Sequence, residues 1–95
     1  MASILLVEDE SAIREMVAMA LERAGYRVRH AESAEDGEAA IRLSQPDLLL
    51  LDWMLPGQSG IDFARRLKRD RATRDIPIIV LTARGEEADR IRGLD

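Results

Sequence analysis

The amino-acid sequence predicts an α/β fold built around a doubly wound parallel sheet. Short apolar runs alternate along the chain with segments whose apolar residues recur at helical spacing. The runs that end at Val7, Leu51 and Leu81 are apolar throughout, as in strands that helices cover on both faces. Residues 26–30 instead alternate arginines with other side chains, which is typical of a half-exposed edge strand.

The first strand is predicted at residues 3–7, and the first helix follows it. Ser11 can cap this helix at its start, and Gly25 supplies its end. Its apolar residues recur at helical spacing and are interpreted as the core side and the rim of the helix: Ile13, Met16, Val17, Met19, Ala20, Leu21 and Ala24.

A second helix and a second buried strand are predicted after the edge strand. Ser33 and Asp36 form a capping-box pattern that begins a helix extending to about Leu43. Residues 45–47, with the sequence Gln-Pro-Asp, then break the chain before the apolar strand at residues 48–51.

The remaining elements follow the same alternation. Residues 57–60 are predicted as a turn, and residues 76–81 as a buried strand that tolerates a proline near its start. Gly85 and two glutamates begin a fourth helix, since acidic residues favour a first turn. Between the turn and the strand, a third helix carries Ile61, Phe63, Ala64 and Leu67.

Right-handed crossovers place the charged second strand at an edge, which gives the strand order 2-1-3-4. Ligands of doubly wound sheets bind where this order reverses, at the carboxyl ends of the first and third strands. Glu8, Asp9 and Asp52 follow those strands. Two like charges ~4 Å apart repel by about 1 kcal/mol in water and about 4 kcal/mol near a protein surface. Three converging carboxylates therefore predict a bound divalent cation.

Composition restricts the class of protein. The 95 residues fit one domain over residues 1–95, and the absence of cysteine excludes disulfides and thiolate zinc sites. No apolar stretch is long enough for a membrane span or a signal peptide, so we expect a cytoplasmic protein. The net charge of −4 gives no reason to expect that this segment itself binds nucleic acid.

Mg²⁺ is the expected cation because it takes oxygen ligands and needs only one or two carboxylates besides waters and phosphate oxygens. Asp9 and Asp52 are expected to bind it directly and Glu8 through water, with a backbone carbonyl after Asp52 completing the set. Residues 8–10 alone leave an alternative open, in which they form a solvated loop that favours the dipole of the next helix.

Asp52 can be a metal ligand only, or a nucleophile that forms an aspartyl phosphate. Phosphoryl transfer requires mainly positioning, a metal and donors to the phosphoryl oxygens. Thr82 ends the fourth predicted strand, so its hydroxyl is expected in the same crevice, where the Ala83 amide can also donate. Judged alone, Thr82 fits a helix or turn cap equally well.

At these residues the sequence resembles the receiver domains of two-component response regulators, in the OmpR/PhoB subfamily. The resemblance implies a flavodoxin-like, CheY-like fold in which Asp52 accepts a phosphoryl group from a sensor histidine kinase. It implies that Glu8, Asp9, Asp52 and the Met54 carbonyl hold Mg²⁺, and that Thr82 moves onto the phosphoryl group. The matching elements are Val7-Glu8-Asp9, the run Leu-Leu-Asp-Trp-Met-Leu-Pro-Gly at residues 50–57, and Leu81-Thr82-Ala83.

The resemblance also implies partners. Such receivers usually precede a winged-helix domain, so DNA binding is expected only through a separate C-terminal domain, and a homodimer is expected on activation. Family members continue with a fifth strand ending in a lysine, an aromatic switch residue and a fifth helix. Because this sequence ends before them, we expect the fifth βα unit to be missing. Lys68, the only lysine, lies in the third helix and cannot take the family role.

Three other functions compete with this interpretation. A phosphatase with an aspartyl intermediate commonly has a second aspartate two residues after the first, where this sequence has Met54. A flavin-binding protein needs a phosphate loop after the first strand, where Glu8 and Asp9 would repel a phosphate. The main alternative is a receiver-like interaction module that is not phosphorylated. We expect this phosphoaccepting domain to have at most two catalytic activities, self-phosphorylation from a phosphodonor and self-dephosphorylation.

Overall fold

A four-stranded parallel sheet lies at the centre of the computed structural model, which describes residues 2–81. The elements in chain order are β1 (Ser3–Val7), α1 (Ser11–Arg23), β2 (Arg27–Ala31), α2 (Ala34–Leu43), β3 (Leu48–Asp52), β4 (Met54–Leu55), β5 (Gln58–Ser59), α3 (Gly60–Arg69) and β6 (Ile78–Leu81). The strand order β2-β1-β3-β6 confirms the predicted one, with β6 as the fourth strand. Thr82, Ala83 and the predicted fourth helix lie outside the described residues.

The register of the sheet brings the carboxyl ends of its central strands level with one another. Val7 lies opposite Leu51, and Asp52 lies opposite Leu81. All these pairings are parallel. The residue after Val7 therefore lies at the same edge of the sheet as Asp52. Within residues 2–81, no helix is long and apolar enough to cross a membrane.

Successive side chains of a strand point to opposite faces of the sheet, and in the central strands β1 and β3 both sets are mostly buried. On one face Leu5, Val7, Leu49 and Leu51 pack with Phe63 and Leu67 of α3 and with Ile41 of α2. On the other face Ile4, Leu6 and Leu50 pack against Ala18 of α1. The continuous apolar runs predicted this two-sided burial, which β1 and β3 confirm, whereas within residues 2–81 Ile79 of β6 is 38% exposed.

The helix ends confirm one predicted cap and contradict another. The Ser33 hydroxyl accepts a hydrogen bond from the Asp36 amide at 3.1 Å, as the capping-box pattern predicted. The predicted cap at Ser11 was wrong. Glu10 has the extended backbone of a cap residue, and Ser11 is already helical. Gly25 has a φ of +98°, a conformation that suits glycine and ends the helix as predicted.

The apolar face of α1 is only partly covered. Met16 and Met19 are 65% and 55% exposed, so placing them at the core side and rim of the helix was wrong. Ala18 is buried instead, and Val17 and Leu21 are partly buried against the sheet. Among residues 2–81, the sheet therefore covers only some of the apolar side chains of α1.

The segment between β3 and α3 is more ordered than the predicted turn. Met54 pairs with Ser59 and Leu55 with Gln58, so β4 and β5 form a small antiparallel hairpin. Gly57, with a φ of +84°, lies in its turn. This hairpin follows Asp52 directly and leads into α3.

Candidate functional site

Three carboxylates converge at the carboxyl end of the sheet. Oxygen atoms of Glu8, Asp9 and Asp52 all lie within 4.8 Å of one another. Glu8 is 4% exposed, Asp52 is partly buried and Asp9 is exposed to solvent. The structure therefore brings together the three acidic residues that the sequence placed at the switch point of the sheet.

Backbone hydrogen bonds to neighbouring strands position this cluster. The Glu8 amide donates to the Ala31 carbonyl of β2 at 3.0 Å, and the Trp53 amide donates to the Leu81 carbonyl of β6 at 2.8 Å. The Glu8 carboxylate in turn accepts a hydrogen bond from the Glu10 amide at 3.1 Å. These bonds continue the sheet by one residue beyond β1 and β3, so the acidic side chains lie on a rigid base.

Gly60, the first residue of α3, lies directly against the backbone of Asp52 and Trp53. The Gly60 amide donates to the Trp53 carbonyl at 2.8 Å, and a Cβ at this position would lie 2.1 Å from the Asp52 carbonyl oxygen. Only glycine permits this approach of α3 to the end of β3. The Ser59 hydroxyl caps α3 by accepting from the Asp62 amide at 3.1 Å. The sequence predicted a turn at Ser59 and Gly60, and neither of these two roles was predicted.

A serine three residues before an aspartate, ahead of an apolar helical pattern, is the signal that could have identified the Ser59 cap. The need for glycine at position 60 depends on a contact with Asp52, eight positions earlier in the chain. No local sequence pattern contains that information.

Burial and the neighbouring carboxylates raise the pKa values of Glu8 and Asp52. Burial is the largest cause that raises the pKa of Glu8, to about 7, and the nearby Asp52 and Asp9 carboxylates raise it further. Burial and the Asp9 carboxylate also raise the pKa of Asp52. In the absence of a cation, the site is therefore partly protonated near neutral pH, which reduces its negative charge.

The donor set fits a hard divalent cation. All three side chains offer carboxylate oxygens, which suit Mg²⁺ better than zinc, and no histidine or cysteine belongs to the cluster. A bound cation would compensate the charges that raise the two pKa values. Met54, the predicted carbonyl ligand, lies two residues after Asp52 at the start of the hairpin. Trp53, next to Asp52, is partly buried and packs against the core that contains Leu51 and Phe63.

Comparisons with known proteins identify the family to which the chain is similar. Residues 4–95 match the family described as response regulator receiver domain. The chain is 60% identical over 93 residues to the phosphate regulon transcriptional regulatory protein PhoB of Pseudomonas aeruginosa, covering 98% of this chain and 41% of that protein. It is 55% identical over 92 residues to PhoB of Escherichia coli, covering 97% of this chain and 40% of that protein. The chain thus spans about two-fifths of these relatives.

Solved structures show the same architecture. The N-terminal domain of a response regulator receiver protein from Methanoculleus marisnigri superposes with a TM-score of 0.86 at 41% identity, covering 95% of this chain and 76% of that one. The chemotaxis response regulator CheY4 of Vibrio cholerae superposes with a TM-score of 0.87 at 28% identity, covering 99% and 78% of the two chains. The CheY-like fold inferred from the sequence is confirmed.

Proposed function

Because the chain belongs to the response regulator receiver domain family, we propose that Asp52 is its phosphoacceptor and that a sensor histidine kinase is the donor. Receiver domains are signalling domains rather than enzymes in the usual sense, and the chain is close to the PhoB transcriptional regulators. The observation that carries the proposal is the convergence of Glu8, Asp9 and Asp52 at the carboxyl end of the sheet.

Each acidic residue has a separate role in this proposal. A carboxylate oxygen of Asp52 attacks the phosphorus of a phosphohistidine, the P–N bond breaks and an aspartyl phosphate forms. Glu8, Asp9, Asp52 and the Met54 carbonyl would hold Mg²⁺, which when bound would neutralise charge on the phosphoryl oxygens. Gly60 and Trp53 fix the Asp52 backbone, so that its side chain stays oriented toward the open crevice.

Thr82 and Ala83 complete the proposed site. Thr82 directly follows β6, whose last residue, Leu81, lies opposite Asp52 in the sheet. We expect the Thr82 hydroxyl and the Ala83 amide to donate to phosphoryl oxygens, with Thr82 reporting the phosphorylated state to the rest of the domain. Thr82→Val should therefore preserve phosphorylation and weaken the accompanying change in Trp53 fluorescence. A variant that is not labelled at all would contradict this division of roles.

The output of the signal is proposed from the relatives. Two of them are transcriptional regulatory proteins of the phosphate regulon, of which this chain covers 41% and 40%. We expect phosphorylation to promote homodimer formation, and DNA binding to reside in a separate C-terminal domain. A cytoplasmic location stays a prediction.

Acetyl phosphate and Mg²⁺, followed by intact-mass measurement, test the proposal. The wild-type chain should gain one phosphoryl group, and Asp52→Asn should gain none. Asp75→Asn, at an exposed aspartate in the loop before β6, is the matched control and should be labelled like the wild type. Labelling of Asp52→Asn would refute the assignment of the phosphoacceptor. Absence of labelling in the wild type would favour the interaction module that is not phosphorylated.

A further inference from the structure

A partly buried arginine contacts the backbone of the acidic loop. Arg14, in the first turn of α1, has a side chain that is only 13% exposed. Its Nη1 donates a hydrogen bond of 2.7 Å to the carbonyl oxygen of Glu8. Its Nη2 lies 3.6 Å from a carboxylate oxygen of Glu32, in the loop between β2 and α2. The guanidinium thus bridges two loops at the carboxyl end of the sheet.

The two contacts of Arg14 differ in strength. The Glu32 side chain is 70% exposed, and ion pairs that are open to solvent contribute little to stability. The bond to the Glu8 carbonyl is short, charge-assisted and partly buried, so it is the stronger contact. The carbonyl that it holds belongs to the peptide bond between Glu8 and Asp9, whose orientation determines where both carboxylates point.

Arg14 thereby completes the fixation of this peptide segment. The Glu8 amide is already held by the Ala31 carbonyl of β2, and the Glu8 carboxylate by the Glu10 amide. Without Arg14, the Glu8 carbonyl would have no partner among the described protein atoms near it, and the following residue, exposed Asp9, could rotate away.

We propose that Arg14 is a positioning residue that presets Glu8 and Asp9 for a divalent cation by holding the peptide bond between them. The proposal rests on the function proposed above. Partners that orient metal ligands without touching the metal typically change its affinity by about 10- to 100-fold when they are removed. Arg14→Gln should therefore weaken Mg²⁺ binding by about tenfold or more.

Mg²⁺ titration, followed by Trp53 fluorescence and by calorimetry, provides the test. Arg14→Gln should bind Mg²⁺ about tenfold more weakly than the wild type, and Arg14→Lys, which keeps a cation near the carbonyl, should lie between them. Arg23→Gln is the matched control, because it removes the same charge from the exposed far end of α1. Glu32→Gln should bind like the wild type, since the exposed arm of the bridge contributes little.

A second measurement separates positioning from a general loss of structure. The Mg²⁺ concentration for half-maximal labelling by acetyl phosphate should rise in Arg14→Gln, while the labelling rate at saturating Mg²⁺ stays near that of the wild type. A destabilised variant would instead lose labelling at every Mg²⁺ concentration.

The outcomes distinguish this inference from the function on which it rests. If wild-type chain binds no Mg²⁺, the proposed function fails. If the wild type binds it and Arg14→Gln changes the affinity by less than threefold, the role of Arg14 is overturned. Should Arg14→Gln not fold, as judged by circular dichroism and a thermal melt, Arg14→Lys decides by the same threefold criterion.

Discussion

In the absence of Mg²⁺, the domain should lose stability as the pH rises from 5 to 8, with Glu8 as the main cause. Burial raises the pKa of Glu8 from 4.5 to about 7 in the folded protein. Between these values the folded state keeps a proton that the unfolded chain has released, so the free energy of unfolding falls with rising pH. At 1.36 kcal/mol per pH unit, this displacement corresponds to a loss of about 3 kcal/mol. The loss is complete somewhat above pH 7 and absent below pH 4.

That change is large for a small domain, whose total stability is typically about 5–15 kcal/mol. The raised pKa of Asp52 acts in the same direction, so a smaller dependence should remain when Glu8 is replaced. Mg²⁺ should stabilise the protein more at pH 8 than at pH 5, because at the lower pH it must displace the proton on Glu8.

Urea denaturation in the presence of EDTA, at pH 5, 6, 7 and 8, measures this effect through Trp53 fluorescence and circular dichroism. Glu8→Gln should be more stable than the wild type at pH 8 and should have lost most of the pH dependence. Glu15→Gln, at an exposed position on α1, is the control and should keep it. Equal stability of the wild type at pH 5 and pH 8, or an unchanged slope in Glu8→Gln, would refute the reasoning.

Three further substitutions test the supports of the site, each by thermal and urea denaturation. Gly60→Ala should cost about 1–3 kcal/mol and slow labelling of Asp52, because its Cβ would lie 2.1 Å from the Asp52 carbonyl oxygen; wild-type behaviour would show that this approach is not required. Ser59→Ala should cost about 1 kcal/mol through loss of the cap on the Asp62 amide, with labelling retained; a neutral effect would contradict the cap. Phe63→Ala, at a fully buried ring, should cost about 3–5 kcal/mol, and a loss below 1 kcal/mol would show that the core closes around the gap.

The strand order, and which strands are central, could be predicted because the apolar runs and the charged strand indicate the same arrangement. Residues 48–51 are four leucines, which suit only a strand that is covered on both faces, and the structure buries three of them fully or nearly so. The arginines of residues 26–30 cannot lie in such a position, which left the edge of the sheet for β2. Once the order was known, the meeting of Glu8, Asp9 and Asp52 followed from the topology alone.

The incorrect predictions concern residues whose environment is decided by tertiary contacts rather than by the local sequence. Ser11 has the chemistry of a cap, but the chain leaving Glu8 becomes helical one residue earlier than that role allows. Met16 and Met19 fit a helical apolar pattern, yet within residues 2–81 α1 buries only Ala18 and, in part, Val17 and Leu21 against the sheet. The contact of Arg14 with the Glu8 carbonyl has no sequence signature, because an arginine in a first helical turn is ordinarily a solvated surface residue.

The acidic cluster lowers the stability of the metal-free protein, and the contacts around it explain why the three carboxylates nevertheless stay together. Three carboxylates within 4.8 Å would separate if their backbones were free, because small rotations would relieve the repulsion. The Glu8 amide bonded to β2, the Arg14 guanidinium on the Glu8 carbonyl and the close approach of Gly60 to Asp52 prevent those rotations. Relief must then come from a proton or from a cation. The more rigidly these contacts fix the three carboxylates, the more tightly the site binds a divalent ion. For the same reason, the site destabilises the metal-free protein more as the pH rises.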